Sequence, residues 1–215
     1  GLPWDGEIVY QSQRTAQYRQ AFEHLMQAGL VFPCLCSRKQ LTEANAGSTS
    51  HVYPGTCRQH TFPEPQEHAV RIRVDDRVIE FTDRVFGHRQ SRLDEECGDF
   101  VIKRRDGLYA YQLAVVVDDA LQGVTEIVRG ADLLDSTARQ IYLQQCLGYP
   151  TPEYCHLPLA VDNEGKKISK SAGAAKVDSS HPQRTLVQVL SYLGQSPAAG
   201  LPDASLDSIW QWAIE

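Results

Sequence analysis

Three of the six cysteines lie at the start of, or within, a long stretch of the chain that has few hydrophobic residues. Cys34 and Cys36 precede the polar, Gly- and Ser-rich residues 37–65, and Cys57 lies inside that stretch. A loop of this length within a compact domain needs something to fix it. Three thiolates at this spacing suit a tetrahedral zinc site that lacks one ligand. The candidates for the fourth ligand are His51, Tyr53 and His60. Of these residue types, histidine is the commonest zinc ligand. The alternative to a zinc site is that the three cysteines are buried free thiols.

The rest of the chain alternates between helical and extended patterns. Apolar residues at helical spacing predict helices over 12–29 and 133–147, capped by Gly29 and Gly148. Strands are predicted over 70–74, 78–81, 100–102, 109–117, 124–129 and 157–161, and closing helices over 182–193 and 206–214. Helices interspersed with strands are typical of an α/β fold.

Two hairpins are expected among these strands. The acidic pair Asp75-Asp76 separates the first two strands, and the turn Asp106-Gly107 leads from 100–102 into 109–117. The unbroken apolar run at 109–117 is typical of a strand buried on both faces in the middle of a parallel sheet.

Composition excludes some classes of protein. Hydrophobic residues make up 42% of the 215 residues, and the sequence contains no apolar stretch long enough to span a bilayer. The net charge of -6 argues against a protein that coats nucleic acids indiscriminately, so an RNA partner needs a local basic surface. Candidate surfaces are the basic stretches at 84–92, 103–105 and 166–170. Six cysteines without a secretory segment predict reduced thiols and a cytoplasmic protein.

The segment Lys167-Ile168-Ser169-Lys170-Ser171 follows a predicted strand and a turn. It offers two ammonium groups and two hydroxyls, which suits a polyphosphate whose oxygens gain charge during phosphoryl transfer. A solvated surface loop is an equally good reading of this segment taken alone.

The wider context resembles one family. Residues 167–171, which we call the lysine loop, match the KMSKS signature of class I aminoacyl-tRNA synthetases. Upstream, glutamyl- and glutaminyl-tRNA synthetases are closely similar to residues 109–119 (YAYQLAVVVDD) and 123–133 (GVTEIVRGADL). The resemblance implies a Rossmann-like catalytic domain of the class I synthetase type. It also implies that Tyr111 and Arg129 bind the amino acid, that Lys167, Ser169 and Lys170 bind ATP, with Mg²⁺, and that Lys170 is catalytic.

The cysteine pattern resembles the branch of the family that glutamylates queuosine in tRNA(Asp). That resemblance implies structural Zn²⁺ on Cys34, Cys36, Tyr53 and Cys57, and substrates that are L-glutamate, ATP and queuosine-containing tRNA(Asp). Lys170-Ser171-Ala172, where ordinary glutamyl-tRNA synthetases usually have Lys-Arg-His-Gly, favours the same branch. The alternatives are a catalytic fragment of a discriminating glutamyl-tRNA synthetase, and a non-catalytic tRNA-binding module stabilised by zinc.

The resemblance also sets the expected domains. Residues 1–33 and 98–175 are expected to form parts of the catalytic domain, residues 34–97 a zinc-binding insertion with an acceptor-binding-like subdomain, and residues 176–215 a helical region. No anticodon-binding domain is expected, and the chain is expected to be a monomer. The family's HIGH-type signature precedes the part that aligns with Trp4 onwards. The chain alone is therefore expected to bind ATP poorly and to be inactive.

Overall fold

A computed structural model describes residues 4–44, 46, 52–59, 61, 67–168, 177 and 179–215. The chain divides into two compact units. The first consists of residues 1–129 and 133–156, and the second of residues 130–132 and 157–215.

The first unit combines helices with two small sheets. Its helices are α1 (Thr15–Gln27), α2 (Arg38–Ala44), α3 (Leu93–Glu96), α4 (Tyr111–Leu121) and α5 (Leu134–Leu147). Its strands are β1 (Val31–Cys34), β2 (Ala69–Ile72), β3 (Val78–Asp83), β4 (Gly87–Arg92), β5 (Phe100–Lys103), β6 (Glu126–Gly130) and β7 (Glu153–Leu157), the last two ending at the border of the second unit. The described helices of the second unit include α6 (Pro182–Tyr192) and α7 (Leu206–Ile214).

The two sheets have different strand patterns. One sheet has the order β1-β2-β5, and both of its pairs are antiparallel. The other has the order β4-β3-β7-β6. In that sheet β3 runs antiparallel to β4 and parallel to β7, with Asp83 opposite Tyr154. The parallel pair brings the end of β3 beside a strand more than sixty residues further along the chain.

The helices predicted at 12–29 and 133–147 are confirmed as α1 and α5. One face of α1 is buried through Tyr18, Ala21, Phe22 and Leu25, at the spacing expected for an amphipathic helix. Gly148 follows α5 with a φ of 68°, the left-handed conformation that ends helices and favours glycine. The helices predicted at 182–193 and 206–214 are confirmed as α6 and α7.

The strand predicted at 109–117 is wrong, because most of this segment belongs to helix α4. Leu113, Ala114, Val116 and Val117 are buried at helical spacing, and α4 packs against α1 and α5. Valine favours strands only weakly, and tertiary contacts override that preference. The polar residue that follows the run fits a helix, since Asp118 lies one turn after Ala114 on the same buried face.

The predicted hairpins are also wrong, although the turns exist. β2 and β3 lie in different sheets, and the Asp106-Gly107 turn leads from β5 into α4. The strand predicted at 157–161 is wrong in position, because β7 covers Glu153–Leu157 and shares only Leu157 with the predicted range. Buried His156 interrupts the apolar pattern there and explains the shift in the prediction.

Asp118 fastens the start of the chain to α4. Its carboxylate accepts hydrogen bonds from Arg14 Nε at 2.6 Å, Tyr18 Oη at 2.8 Å and Gln11 Nε2 at 2.9 Å. The side chains of Arg14 and Asp118 are only 16% and 9% exposed. Removal of one member leaves the other charge buried and unpaired, which costs more than the pair itself contributes.

None of the helices among the described residues is long and apolar enough to cross a membrane.

We expect Asp118→Ala to lower the free energy of unfolding by about 3 kcal/mol, because it leaves the largely buried Arg14 guanidinium without its carboxylate partner. Asp75→Ala is the matched control, since it removes the carboxylate of the exposed Asp75–Arg77 pair and should cost less than about 1 kcal/mol. Urea denaturation of both variants measures the difference. Equal losses would show that the Asp118 contacts do not fasten the start of the chain.

Candidate functional site

Three cysteine side chains meet where β1 ends. Cys34 is the last residue of β1, Cys36 follows it, and Cys57 comes from the short segment 52–58. The three sulfur atoms lie within 4.8 Å of one another, and Cys36 Sγ is 3.4 Å from Cys57 Sγ. Cys34 and Cys57 are buried and Cys36 is half-buried. This convergence of soft donors fits a thiophilic metal ion such as Zn²⁺.

The hydroxyl of Tyr53 lies at the same point. Tyr53 Oη is 3.5 Å from Cys34 Sγ and 3.9 Å from Cys36 Sγ, and it accepts a hydrogen bond of 2.9 Å from the Cys57 backbone N–H. The structure therefore brings all four sequence-predicted metal ligands together. The other two candidates for the fourth ligand, His51 and His60, lie outside the described residues.

A glycine allows the segment that carries Tyr53 to dock. The Tyr53 backbone N–H donates to the Cys97 carbonyl at 3.0 Å, directly beside Gly98. Gly98 has a φ of 64°, and a Cβ there would lie 3.0 Å from both the nitrogen and the oxygen of Tyr53. Any other residue would have to push the Tyr53 backbone away.

Arg71 supplies positive charge to the cysteine cluster. Its Nε donates to Cys34 Sγ at 3.3 Å, and its guanidinium lies 3.9 Å from the centre of the Tyr53 ring. Burial works to raise the pKa of the Cys34 thiol, but hydrogen bonds from Tyr53 and Arg71 outweigh it, so that pKa is lowered. Burial, the hydrogen bond with Cys57 and the charge of Cys34 raise the pKa of Cys36 to about 11. Cys34 is therefore more ready than Cys36 to bind a metal as a thiolate.

A second polar cluster surrounds Arg129, which lies on β6 and is half-buried. Its Nε donates to His156 Nε2 at 2.9 Å, and one Nη donates to Thr137 Oγ1 at 2.9 Å. The guanidinium also lies 5.4 Å from the centre of the Tyr154 ring. Among the described residues, none accepts a hydrogen bond from the other terminal nitrogen, Nη1.

Asp83 fixes the imidazole that holds Arg129. His156 Nδ1 is 2.6 Å from Asp83 Oδ2, and both side chains are fully buried. Because the Arg129 guanidinium is always protonated, His156 Nε2 must accept, which places the imidazole proton on Nδ1. Burial works to raise the pKa of Asp83, but hydrogen bonds from His156 and from the backbone of Phe86 and Val85 outweigh it and lower that pKa.

Tyr111 is the first residue of α4 and is 48% exposed, so the residue is open to solvent. The Tyr154 ring, against which the Arg129 guanidinium lies, is buried. Burial raises the pKa of the Tyr154 phenol, although the hydrogen bond from Gln144 and the positive charge of Arg129 act to lower that pKa.

The lysine loop is described only in part. Lys167 pairs through its Nζ with Asp132, and its side chain is half exposed. The predicted ATP-binding residues Ser169 and Lys170 lie outside the described residues.

The partners of Arg129 are not predictable from the sequence alone. Asp83, Thr137 and His156 are buried polar residues, and each belongs to a different element. One signal was available, because a histidine directly before a predicted strand needs a hydrogen-bond partner when it is buried. Its partner could not be named, since Asp83 is 73 residues away in sequence.

Comparison with known proteins assigns the chain to a family. The family described as "tRNA synthetases class I (E and Q), catalytic domain" matches residues 1–200. The chain belongs to this family. Its class I synthetase fold, Rossmann-like with mixed sheets and helices, confirms the predicted fold class, and the family consists of ligases.

Relatives within the class I synthetase family are about half identical to this chain over the aligned residues. A protein of Aromatoleum aromaticum named glutamyl-Q tRNA(Asp) synthetase is 52% identical over 215 residues, which cover 100% of this chain and 68% of that relative. The protein of the same name from Neisseria meningitidis is 50% identical over 220 residues, covering 100% of this chain and 73% of that relative. These relatives confirm the predicted resemblance to glutamyl-Q tRNA(Asp) synthetases.

Solved structures of the family are similar in fold. A glutamate tRNA ligase from Elizabethkingia meningosepticum, in complex with its amino acid, superposes with a TM-score of 0.63 at 25% identity, covering 78% of this chain and 38% of that one. Glutamate-tRNA synthetase from Elizabethkingia anophelis gives a TM-score of 0.70 at 23% identity, covering 92% and 48%.

We expect Gly98→Ala to weaken metal binding, because the added Cβ displaces the Tyr53 backbone and so disturbs two of the four candidate ligands. A cost of about 1.4 kcal/mol in the folded site corresponds to about tenfold in affinity. Gly107→Ala is the control, since Gly107 also has a positive φ but no atom lies within 4 Å of a Cβ there. Competition for Co²⁺ or Zn²⁺ against a chromogenic chelator measures both. Equal affinities in the two variants would contradict the docking role of Gly98.

Proposed function

We propose that the chain activates L-glutamate with ATP and transfers it to queuosine in the anticodon of tRNA(Asp). The observation that carries this proposal is the half-buried Arg129 guanidinium, which is held at Nε and at one Nη while its Nη1 has no partner among the described residues. A fixed guanidinium with a free edge is suited to binding a carboxylate. The names of the relatives support queuosine-containing tRNA(Asp) as the acceptor.

The proposed reaction has two steps. A carboxylate oxygen of glutamate attacks the α-phosphorus of ATP, and the bond to pyrophosphate breaks to give glutamyl-adenylate. A hydroxyl of the queuosine cyclopentene-diol then attacks the activated carbonyl, its proton is lost, and AMP leaves as the ester forms. Mg²⁺ bound with ATP neutralises phosphate charge.

The residues divide this work by their chemistry. Arg129 binds the carboxylate of glutamate that does not react, and the Tyr111 hydroxyl orients the amino acid. Lys167, Ser169 and Lys170 bind the phosphates of ATP, and Lys170 stabilises the charge that develops on them. Lys167 must exchange its ion pair with Asp132 for one with phosphate, which an exposed pair allows at little cost.

We propose a structural role for zinc. A closed structural zinc site has four protein ligands. The four ligands here are Cys34, Cys36, Tyr53 and Cys57. The metal would fix the segment 52–58 within an insertion over residues 34–97, and it takes no part in the reaction. The cytoplasm, which keeps thiols reduced and contains tRNA, is the proposed location.

We expect Arg129→Lys to raise the KM for glutamate by about tenfold or more with a smaller effect on ATP, because lysine keeps the charge but loses the guanidinium fork. The measurement is glutamate-dependent ATP–pyrophosphate exchange without tRNA. The match covers 68% of the Aromatoleum relative. The assay is therefore run on the 215-residue chain and on the chain extended by the parts of that relative that lie outside the match.

Arg84→Lys is the matched control for this assay, since Arg84 forms exposed ion pairs with Glu126 and Glu153. It should leave the KM for glutamate unchanged. Equal effects of the two substitutions, or exchange driven equally well by glutamine, would contradict the assignment of Arg129 to glutamate. Exchange by the 215-residue chain alone would show that the chain does not need the added segment.

We expect His156→Phe to raise the KM for glutamate while His156→Gln retains much of the affinity, because only glutamine offers an acceptor near the position of Nε2. Phenylalanine keeps the ring volume but leaves the Arg129 Nε–H without its partner, a loss of about 1–3 kcal/mol. The same exchange assay measures KM and kcat separately. A fall in thermal stability with unchanged KM in both variants would assign His156 to packing alone.

The identity of the acceptor is tested with labelled glutamate and two RNAs. Transfer to tRNA(Asp) that contains queuosine, and no transfer to the same tRNA without it, supports the proposal. Transfer to the acceptor end of tRNA(Glu) would support an ordinary glutamyl-tRNA synthetase. Binding of tRNA without any exchange activity in the extended chain would support a non-catalytic tRNA-binding module.

A further inference from the structure

A wide groove of about 910 Å³ lies beside the cysteine cluster, within the first unit. The start of α2 forms one wall, and the turn between β5 and α4 forms the other. Ala69 of β2 and Val101 of β5 contribute small apolar side chains between these walls. The groove reaches Ala110, the residue immediately before Tyr111.

The groove collects positive charge in a chain that is acidic as a whole. Four arginines line it, against one glutamate and one aspartate, whereas the whole chain has a net charge of -6. The arginines are Arg38, Arg71, Arg104 and Arg105. A local basic surface on an acidic protein is typical of a specific site for a polyanion, and not of a surface that binds polyanions non-specifically.

The four arginines differ in the hydrogen bonds and ion pairs that they already form. Arg71 donates hydrogen bonds to Cys34 Sγ and, at 2.8 Å, to the Asp99 carbonyl, so most of its guanidinium is already paired. Arg105 donates from one Nη to the Leu35 carbonyl at 2.8 Å, which joins the two walls and leaves its other N–H groups available. Arg104 pairs with exposed Asp106. The side chain of Arg38 is exposed and has no ion pair with any described residue.

We propose that this groove binds the phosphodiester backbone of the RNA substrate, through Arg38, Arg104 and Arg105. Guanidinium groups pair bidentately with phosphate oxygens, and phosphate contacts position an RNA without reading its sequence. Exposed ion pairs such as Arg104–Asp106 contribute little and exchange readily for phosphate. This inference rests on the proposed function, which supplies the RNA substrate. It places the RNA backbone along a surface that ends beside Tyr111.

An acidic segment of another protein is the competing occupant. RNA is favoured because the chain belongs to a tRNA synthetase family. Arginines stand on both walls of the groove, which suits a polyanion that runs between the walls. The two occupants differ in the salt dependence of binding and in competition by RNA.

The test measures binding of the 215-residue chain to fluorescent tRNA(Asp) over a range of salt concentrations, without glutamate or ATP. We expect Arg38→Ala, Arg104→Ala and Arg105→Ala each to weaken binding about fivefold. Each should also reduce the slope of log K against log salt concentration by about 1. The losses should be the same with and without queuosine in the tRNA, because backbone contacts do not read the base.

Lys39→Ala is the matched control. Lys39 lies on α2 next to Arg38, carries the same charge and is exposed, but it does not line the groove. It should retain nearly the affinity and the salt slope of the parent chain. Circular dichroism and thermal melting of each variant separate lost contacts from lost folding, and Arg105→Lys restores charge if the fold requires it at that position.

Three outcomes would overturn the proposal. Groove variants that bind tRNA as well as Lys39→Ala does would place the RNA elsewhere. Equal weakening by Lys39→Ala would show a diffuse charge effect. Displacement of tRNA by a poly-glutamate peptide at the same charge concentration would favour an acidic protein partner. Failure of glutamate activation with intact groove-dependent RNA binding would reject the proposed function and leave this inference standing.

Discussion

The direction of the Arg129 guanidinium depends on a neutral imidazole that is held by a buried carboxylate. His156 accepts a hydrogen bond from Arg129 at Nε2 because its proton lies on Nδ1, where it is donated in a hydrogen bond to Asp83. Asp83 ends β3 and His156 lies in β7, so the parallel pairing of these strands sets the geometry of the cation. The sheet therefore determines the site, and a shift of the pairing by one residue would turn His156 away from the core.

The cysteine cluster rests on a second, separate constraint. A short segment with little core of its own reaches the end of β1 because Gly98 lets the Tyr53 backbone approach closely. Its local hydrophobic cluster is small and consists of Phe32, Cys34, Tyr53 and Cys57 with a few flanking residues. A cluster of this size contributes little burial, which is why a metal ion suits the place. Both constraints act through buried groups, whereas the exposed ion pairs of the chain contribute little.

Sequence reasoning was successful where the chemistry is local. The period of α1, the glycine after α5 and the cysteine spacing are all set by neighbouring residues, and each matches the structure. It failed at α4, because a run of valines has the same appearance in a buried strand and in a buried helix. Only contacts with α1 and α5 decide between them.

The functional site shows the same division. Arg129 and Tyr111 were predicted from resemblance, and the cysteine ligands from spacing and resemblance together. Asp83 and His156 were not predicted, since no pattern in a single sequence connects a strand end to a histidine 73 residues away. Residues that orient a site are found from the fold, whereas residues that contact a ligand can be carried over from a family motif.

A crystal structure of the extended chain with glutamate bound is the decisive measurement for the role of Arg129. We expect a glutamate carboxylate at about 2.7–2.9 Å from Arg129 Nη1, with Tyr111 Oη in contact with the amino acid and the His156–Asp83 hydrogen bond unchanged. Glutamate bound elsewhere, with Arg129 still directed only at protein groups, would show that Arg129 does not bind the substrate.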